Sequence, residues 1–390
     1  METIARTSES TSCAATRRVD TRRHGGRLGS SAEVFATLIN VPLTNGIMGD
    51  AIGSVIRTSR QSRCAAWLTR RTLRPFADVL PGGVLAVHVS RAIVATAMLL
   101  GSPPPYRVRV DALSTGSFRG EWVYAPGSEK SRRVILYVHG SAYAICSART
   151  HRGLVARLAH LTGMPVFSVD YRLAPEHVFP AAADDVEAAY AWLQNIGYRP
   201  ENITVAGDSA GGHLLLDLLA ENVRHRRAQP RAMVLMSPLV DLTLELARRQ
   251  ERDTGPDPLI SAVAAQRLVD HYTRGHPADL PRLAPALDRA DDLPRTLIQV
   301  GGAEMLLGDA RAAHRMISDA GGDSELQIWP GQMHVFQALP TMIPEAGPAL
   351  AAAARFITEC PEPGGKAAAT NAATAHADTE HADTERYATT

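Results

Sequence analysis

The chain has 390 residues, of which 45% are hydrophobic, and this length can bury the core of one or two domains. Its formal net charge of +1 excludes the concentrated basic surface that nucleic-acid binding requires. The only lysines are Lys130, in a turn-like stretch, and Lys366, near the C-terminus, so Schiff-base catalysis has almost nothing to use. The four cysteines are dispersed without a C-x-x-C pair, which predicts neither a disulfide framework nor a metal site.

Both ends of the chain are predicted to be disordered tails. Residues 1–30 are small, polar and charged, and they lack the continuous apolar segment of a secretory signal. Residues 359–390 have a similar composition and contain the repeat "HADTE HADTE". We interpret this repeat as acidic low-complexity sequence rather than a metal site, because no neighbouring framework would fix ligand geometry.

Residues 31–104 are predicted to be mainly helical and to form an N-terminal cap. Their longest apolar stretch, 83–101, is interrupted by His88 and Arg91, and its unbroken part is too short to cross a bilayer. Apolar residues recur at helical spacing on a different predicted face: Leu85, Val89, Ile93, Ala97 and Leu100. The pattern predicts an amphipathic helix that packs on the core, covers an apolar substrate site or touches lipid.

From residue 105 onward, apolar β-rich runs alternate with helical patterns. The predicted strands are 134–140, 164–172, 203–208, 232–238, 296–302 and 325–331, and the predicted helices are 151–162, 181–196, 210–224, 309–320 and 345–358. This alternation predicts a doubly wound, mostly parallel α/β sheet over residues 105–358. Residues 106–127 have the spacing of an antiparallel hairpin at its edge, and the helical segment 241–292 is expected to join the cap.

A serine lies where the third of these strands gives way to a helix. The sequence "ITVAGDSAGGHLLLDLL" places Ser209 between Gly207 and Gly211, in the G-x-S-x-G pattern of a nucleophile elbow. Glycine relieves crowding in that tight turn, and the following helix directs N–H groups and a partial positive charge toward the reacting atoms. The pattern therefore predicts a catalytic serine at the carboxyl edge of the sheet.

A serine nucleophile needs a histidine base and a carboxylate that orients the base. Among fourteen histidines, His334 follows the last predicted strand in a loop with Pro330 and Gly331, from which it can reach that edge. Glu304 lies just beyond the strand that ends at 301 or 302, and Asp309 is the alternative acid. The order serine, acid, histidine is that of the α/β-hydrolase fold.

Four ordered motifs together resemble the hormone-sensitive-lipase group of serine esterases, in particular its bacterial branch: "HGSAY" at 139–143, "DYRLAPEHVFPAA" at 170–182, "GDSAGG" at 207–212 and "PGQMHVF" at 330–336. The resemblance implies an α/β-hydrolase fold with an N-terminal helical cap that hydrolyses carboxylic esters without a cofactor. It implies that Ser209 is the nucleophile, Glu304 the acid and His334 the base. The N–H groups of Ser141, Ala142 and Ala210 would then form the oxyanion hole.

The oxyanion loop departs from the usual pattern of that group. Ser141 and Ala142 stand where the group usually has two further glycines before an aromatic residue, here Tyr143. Backbone donors survive such a replacement, but a left-handed conformation at either position would cost on the order of 1 kcal/mol. The added Cβ atoms are also expected to narrow the acyl pocket.

The expected function is hydrolysis of short- to medium-chain carboxylic esters, with a small-molecule ester or lipid as the partner. Amidase or thioesterase activity is an alternative within enzymes, and a non-enzymatic protein that binds a small molecule is an alternative outside them. The residues of "DYRLAPE", Asp170, Arg172 and Glu176, are expected to support the active-site loops. The expected location is cytoplasmic or envelope-associated, with peripheral membrane contact through the cap as an open alternative.

Overall fold

The computed structural model describes residues 58–79, 82–105, 107–287 and 292–360. The predicted tail 1–30, the first part of the predicted cap and the chain beyond Cys360 lie outside the described residues. The last described helix ends at Glu359, one residue beyond the predicted helix 345–358, and Cys360 is buried.

Eight strands form one sheet, and its order is β1-β2-β4-β3-β5-β6-β7-β8. The bounds are Arg109–Ser114 (β1), Arg119–Tyr124 (β2), Val134–Val138 (β3), Val166–Val169 (β4), Ile203–Asp208 (β5), Ala232–Met236 (β6), Arg295–Gly301 (β7) and Ser324–Trp329 (β8). The predicted hairpin is β1 and β2, which are antiparallel, and β2 is also antiparallel to β4, whereas the other pairs are parallel. The predicted mostly parallel sheet is therefore confirmed.

Helices cover both faces of this sheet, as the fully buried strands β3, β4, β5 and β6 require. They are Ala148–Thr162 (α4), Ala181–Asn195 (α5), Ala210–Arg224 (α6), Leu307–Asp319 (α9) and Ala346–Glu359 (α10). One core packs α5, α6 and α9 on one face, and a second core packs α4 and α10 on the other. The fold is thus a doubly wound α/β-hydrolase fold.

The largest error in the predicted helix bounds concerns α4, which begins at Ala148 rather than 151. Ser147 and Thr150 form a capping box, in which each side chain accepts a hydrogen bond from the other residue's backbone N–H. The reciprocal bonds satisfy two N–H groups that the helix leaves unpaired, so the helix begins one turn earlier than apolar spacing alone suggested.

The remaining described helices cover the carboxyl edge of the sheet. They are Arg60–Arg71 (α1), Leu73–Val79 (α2), Val84–Gly101 (α3), Glu245–Thr254 (α7) and Ala262–Thr273 (α8). Asp78 of α2 accepts a hydrogen bond from Ser261 at 2.5 Å, and its carbonyl accepts one from Arg267 of α8 at 2.9 Å. The two helical regions of the sequence are therefore in contact, and helices α1, α2, α3, α7 and α8 are together called the cap below.

The predicted packing stripe of α3 is partly wrong. Leu85 and Leu100 are 77% and 76% exposed, whereas Arg91, assigned to the opposite face, contacts the α/β domain. Arg91 donates to the carbonyls of Ala144 and Ala174, each at 2.8 Å, so these partly buried hydrogen bonds rather than the apolar stripe determine which face is covered. By length and composition alone, α3 is apolar and long enough to cross a membrane, and 17% of it is buried.

Candidate active site at the carboxyl edge of the sheet

Ser209 is the single residue between β5 and α6, with φ of 50° and ψ of −121°. This unusual conformation is the strained turn of a nucleophile elbow. The turn brings the backbone of β3 very close, because a Cβ atom on Gly211 would lie 2.1 Å from the carbonyl oxygen of Val138. Only glycine can therefore occupy this position without moving β3.

The structure brings Ser209, His334 and Glu304 into line. The Nε2 atom of His334 lies 3.1 Å from Ser209 Oγ, and its Nδ1 atom lies 3.1 Å from Glu304 Oε1. Glu304 comes three residues after β7, and His334 comes five residues after β8, so both side chains stand at the edge where β5 ends. With Nδ1–H donated to the carboxylate, Nε2 is free to accept the serine proton.

The Glu304 side chain is 1% exposed and is fixed by further hydrogen bonds. Its Oε2 atom accepts from the backbone N–H of Gly301 and from the hydroxyl of Ser237, both at 2.8 Å. Ser237 also accepts from the N–H of Val335, beside the histidine, at 3.1 Å. Sequence reasoning missed Ser237; its position directly after β6 at the same sheet edge was the available signal.

Charges around the imidazole favour its protonated form. Burial alone would lower the pKa of His334, but the hydrogen bond that its ring donates to Glu304, the charge of Glu304 and the nearby carboxylates of Asp257 and Asp208 raise it above 6.5. The site is therefore suited to hold the imidazolium that forms when a serine gives up its proton.

The alternative acid, Asp309, lies away from the imidazole. Its Oδ1 atom accepts the N–H groups of Val240 and Asp241, each at 2.9 Å, and burial raises its pKa to about 7. A fully buried carboxyl group committed to two backbone amides supports the loop after β6. Asp309 is thus a structural residue in the described chain.

The loop at 139–143 borders Ser209 and carries the departure seen in the sequence. Ala142 has φ of 45° and Tyr143 has φ of 63°, so the left-handed strain falls on these two residues, and Ser141 is not among the positive-φ residues of the described chain. The hydroxyl of Tyr171 lies 2.5 Å from Ser141 Oγ and donates to the carbonyl of His139 at 2.8 Å. The Tyr171 hydroxyl therefore fixes the loop by two hydrogen bonds, one to the side chain of Ser141 and one to the backbone of His139.

A buried polar cluster supports the same loop from the elbow side. Asp208 accepts a hydrogen bond from Tyr137 at 2.6 Å and lies 3.4 Å from His151 Nε2. Burial opposes the charge of Asp208, but His151 and these hydrogen bonds lower its pKa below the ordinary value. A Cβ atom on Gly140 would lie 2.1 Å from Asp208 Oδ2, so the loop rests directly on this carboxylate.

The charged residues of "DYRLAPE" act in support. Arg172 forms a two-pronged ion pair with Asp185 of α5, at 2.7 and 2.9 Å. Glu176 accepts two hydrogen bonds from Arg91 of α3, at 2.7 and 2.8 Å, and these bonds lower its pKa to about 2. This motif therefore fastens the cap helix α3 to the catalytic domain.

A cavity of about 250 Å³ opens above Ser209. Ser209, His334 and the 139–143 loop form one wall, and α2, α3 and α8 form another, almost wholly with aliphatic and aromatic side chains. The cap contributes Leu73, Phe76, Ile93, Val94, Ala97, Met98, Leu268 and Val269. Such an apolar cavity beside a few aligned polar groups is the form of a small-molecule site. Within the described residues, no group of three or more His, Cys, Asp or Glu side chains is arranged to hold a metal.

A doubly wound sheet with a serine in an elbow, aligned with an imidazole and a carboxylate, defines the α/β-hydrolase class. The family described as having the alpha/beta hydrolase fold matches residues 135–338. The chain belongs to this family, and within it to the esterases of the hormone-sensitive-lipase type.

Named relatives identify the activity as that of a carboxylesterase or lipase. The chain is 37% identical over 262 residues to esterase LipU of Mycobacterium tuberculosis, covering 64% of this chain and 86% of LipU. It is 35% identical over 316 residues to carboxylesterase/phospholipase LipF of the same organism, covering 76% of this chain and 81% of LipF. A crystal structure of an esterase from the bacterial hormone-sensitive lipase family superposes with a TM-score of 0.70 at 31% identity, covering 78% and 99% of the two chains. The protein is a serine carboxylesterase or lipase.

Proposed function

We propose that the protein hydrolyses esters of short to medium acyl length through an acyl-enzyme, with Ser209 as nucleophile, His334 as general base and acid, and Glu304 as the orienting carboxylate. The observation that carries the proposal is the 3.1 Å contact on each side of the His334 ring. His334 takes the Ser209 proton as the serine oxygen attacks the ester carbonyl. It then returns that proton to the leaving alcohol.

Water completes the cycle in a second, symmetrical step. His334 removes a proton from water as the water oxygen attacks the acyl carbonyl, and the serine oxygen leaves and regains the proton. Glu304 remains ionised and favours the imidazolium in both steps. The products are a carboxylic acid and the free enzyme.

The oxyanion of each tetrahedral intermediate is proposed to bind the N–H groups of Ser141, Ala142 and Ala210. Ala210 is the first residue of α6, whose N-terminal N–H groups point toward the reacting atoms. In the described chain, the loop amides of Ser141 and Ala142 donate to no backbone carbonyl outside regular helices and strands. Each such donor is worth roughly 10²- to 10³-fold in turnover.

The cavity supports the proposed range of acyl length. A volume of about 250 Å³ corresponds to roughly eight water molecules at ~30 Å³ each. An apolar chain of several carbons can fill this space against Phe76, Ile93 and Met98, and its burial favours such a chain over acetate. The test is a profile of kcat/KM across p-nitrophenyl esters from acetate to palmitate. A maximum at intermediate length is expected, whereas activity confined to acetate or to palmitate would contradict it.

Ester hydrolysis is favoured over the two alternatives by the same residues. A binding-only relative of this fold would have no use for the base, whereas here serine, base and acid are aligned. Parallel turnover of matched ester, amide and thioester substrates distinguishes the enzymatic alternatives, and we expect the ester to have the highest kcat/KM.

We propose in addition that the cap rests on an anionic lipid surface. Large apolar side chains are exposed on all three described N-terminal helices: Trp67, Leu68, Phe76, Val79, Val84, Leu85, Val89, Leu99 and Leu100. On α3 they follow one face, and α1 carries four arginines and no acidic residue. Helices α1 and α3 meet at Thr341, whose carbonyl accepts from Gln61 and whose hydroxyl donates to Gly101.

This combination of apolar, aromatic and basic side chains is typical of helices that lie in a membrane interface. The bonds of Arg91 hold α3 on the catalytic domain, so a peripheral contact fits this helix better than a span. The cavity wall that α2 and α3 form would then lie next to the lipid.

Co-sedimentation of the full chain with phosphatidylcholine vesicles, with and without phosphatidylglycerol, tests this contact. Binding to the anionic vesicles that weakens with salt is expected, and L100E should abolish it. L161E is the matched control, because Leu161 is 49% exposed on α4 outside the cap. Equal binding by wild type and L100E, or no binding by wild type, would contradict the proposal.

A further inference from the structure

A second fully buried carboxylate lies beside the turn that carries Glu304. Asp257, between α7 and α8, has 0% exposure, and its Oδ2 atom accepts the N–H of Met305 at 2.8 Å. On the other side of the turn, the N–H of Gly301 donates to Glu304 itself. The turn between β7 and α9 is thus fixed by a hydrogen bond on each side of Glu304: before it, Gly301 donates to Glu304, and after it, Met305 donates to Asp257.

Asp257 is itself fixed by its own loop. Its Oδ1 atom accepts the N–H groups of Leu259 at 2.6 Å and Ile260 at 3.2 Å. These bonds use one carboxylate oxygen, so the other is directed at Met305. The aspartate therefore bridges the cap segment and the turn of the acid.

The cap helix α2 reaches the same residue. Arg74 donates to the carbonyl of Asp257 and, at 3.1 Å, to Oε1 of Glu251. The same Oε1 atom accepts the N–H of Asp257 at 3.3 Å, and Oε2 accepts the N–H of Ala262 at 3.0 Å. A continuous chain of hydrogen bonds thus runs from α2 through Arg74, Glu251 and Asp257 to the residue after Glu304.

The charges that face Asp257 are those of His334, Glu304, Glu251 and Arg74. Burial raises the pKa of Asp257 to about 6, against the attraction of a protonated His334 and its backbone hydrogen bonds. The same attraction raises the pKa of His334. When Asp257 is ionised, the imidazolium therefore interacts with one negative charge more than those of Glu304 and Asp208.

We infer that Asp257 is a positioning residue for the reaction: it holds the turn of Glu304 through the Met305 amide, adds a buried carboxylate to those of Glu304 and Asp208 near His334, and links the turn to cap helix α2 through Glu251 and Arg74. The inference rests on the proposed roles of Ser209, Glu304 and His334. Movement of α2 away from the α/β domain would break the contact of Arg74 with Asp257. The turn that carries Glu304 would then be less firmly held, so the position of the cap is coupled to the order of the site.

Asp257→Asn tests the inference, because it keeps the side-chain shape but removes the charge and one of the two acceptor oxygens. We expect kcat to fall roughly 10- to 100-fold, as for loss of one hydrogen bond to a charged group, with KM little changed. The rising limb of the pH profile of kcat should also move to lower pH, which loss of packing alone would not cause. Wild-type kcat with an unmoved limb would overturn the inference.

Asp309→Asn is the matched control. Asp309 is also a buried carboxyl group that accepts two backbone amides, but it does not approach the imidazole. It should leave both kcat and the pH limb in place, and an equal shift of the limb in this variant would contradict a specific role for Asp257.

Arg74→Gln keeps the Asp257 charge but removes the hydrogen bonds that link Asp257 to α2. It therefore still tests the inference if Asp257→Asn does not fold, as shown by the loss of a cooperative melting transition. We expect lower kcat with an unmoved pH limb, and unchanged kcat would overturn the coupling to the cap. Labelling by a fluorophosphonate distinguishes failure of the proposed function from failure of the inference about Asp257. An unlabelled wild-type Ser209 would refute the proposed function, whereas normal labelling with unaffected variants would refute only the inference about Asp257.

Discussion

Ser209 Oγ and His334 Nε2 lie 3.1 Å apart, although 125 residues separate them in the chain. The sheet makes this possible, because parallel strands β5 and β8 both end at the same edge. The elbow raises the serine above that edge, and the loop after β8 brings the imidazole down to it.

The first prediction distinguishes the two carboxyl groups that the sequence offered as the acid. Glu304→Gln should lower kcat by about 10⁴-fold, because an amide no longer holds the correct tautomer of His334. Asp309→Asn should retain near wild-type kcat, since its Oδ1 atom can still accept the amides of Val240 and Asp241. Steady-state kinetics on p-nitrophenyl butyrate measures both. The opposite ranking of the two variants would exchange their roles.

The second prediction concerns pH. His334 must be neutral to accept a proton, so kcat/KM should rise with pH as the imidazolium loses its proton. Since the pKa of His334 is raised, the midpoint of this limb should lie above 6.5. Removing the negative charge in Glu304→Gln should move the residual limb to lower pH. A wild-type midpoint below 6.5 would contradict the assigned surroundings of the ring.

The third prediction concerns the brace beneath the oxyanion loop. Tyr171→Phe removes the bonds to Ser141 Oγ and to the carbonyl of His139. Leaving these buried groups unpaired should destabilise the protein by about 1–3 kcal/mol, and misplacing the loop should lower kcat more than it raises KM.

The matching variant for this brace is Ser141→Ala, which removes one of the same bonds. The effects of Tyr171→Phe and Ser141→Ala on the free energy of unfolding should be less than additive, as measured by denaturant melts of both single variants and the double variant. Fully additive effects would show that the two hydroxyls act independently.

The fourth prediction concerns the acyl cavity. Ala97→Trp places a large ring in the cavity wall, whereas Ala92→Trp adds the same ring to the exposed face of the same helix. We expect Ala97→Trp to lower kcat/KM for the octanoate ester much more than for the acetate ester. Ala92→Trp should leave the ratio of the two unchanged. An equal loss of kcat/KM on both esters in Ala97→Trp would show that the acyl chain does not bind against this part of the cavity wall.

The sheet and the positions of the candidate site residues at its edge were predictable because their signals are local. Buried parallel strands appear as continuous apolar runs. Glycine is required at position 211 because a Cβ atom there would lie 2.1 Å from the carbonyl oxygen of Val138. The positions of Glu304 and His334 follow from the rule that side chains after parallel strands share one edge.

The cap was predicted less well, because its contacts include hydrogen bonds that the spacing of apolar residues does not reveal. The face of α3 that packs was decided by Arg91, whose acceptors Ala144 and Ala174 are backbone carbonyls and so leave no mark in the sequence. Asp257 was missed for the same reason, because its contact with the turn of Glu304 is to the backbone amide of Met305. Ser237 was missed although it directly follows β6; its hydroxyl donates to Glu304 and accepts the N–H of Val335.

The role of Ser209 as nucleophile is tested most directly by active-site labelling and turnover measured together in wild type and Ser209→Ala. We expect a fluorophosphonate to label the wild type at Ser209 alone and to stop hydrolysis of p-nitrophenyl butyrate. Ser209→Ala, with an unchanged melting profile, should be unlabelled and show no hydrolysis above background. A folded Ser209→Ala variant that still hydrolyses the ester at the wild-type rate would contradict a nucleophilic Ser209.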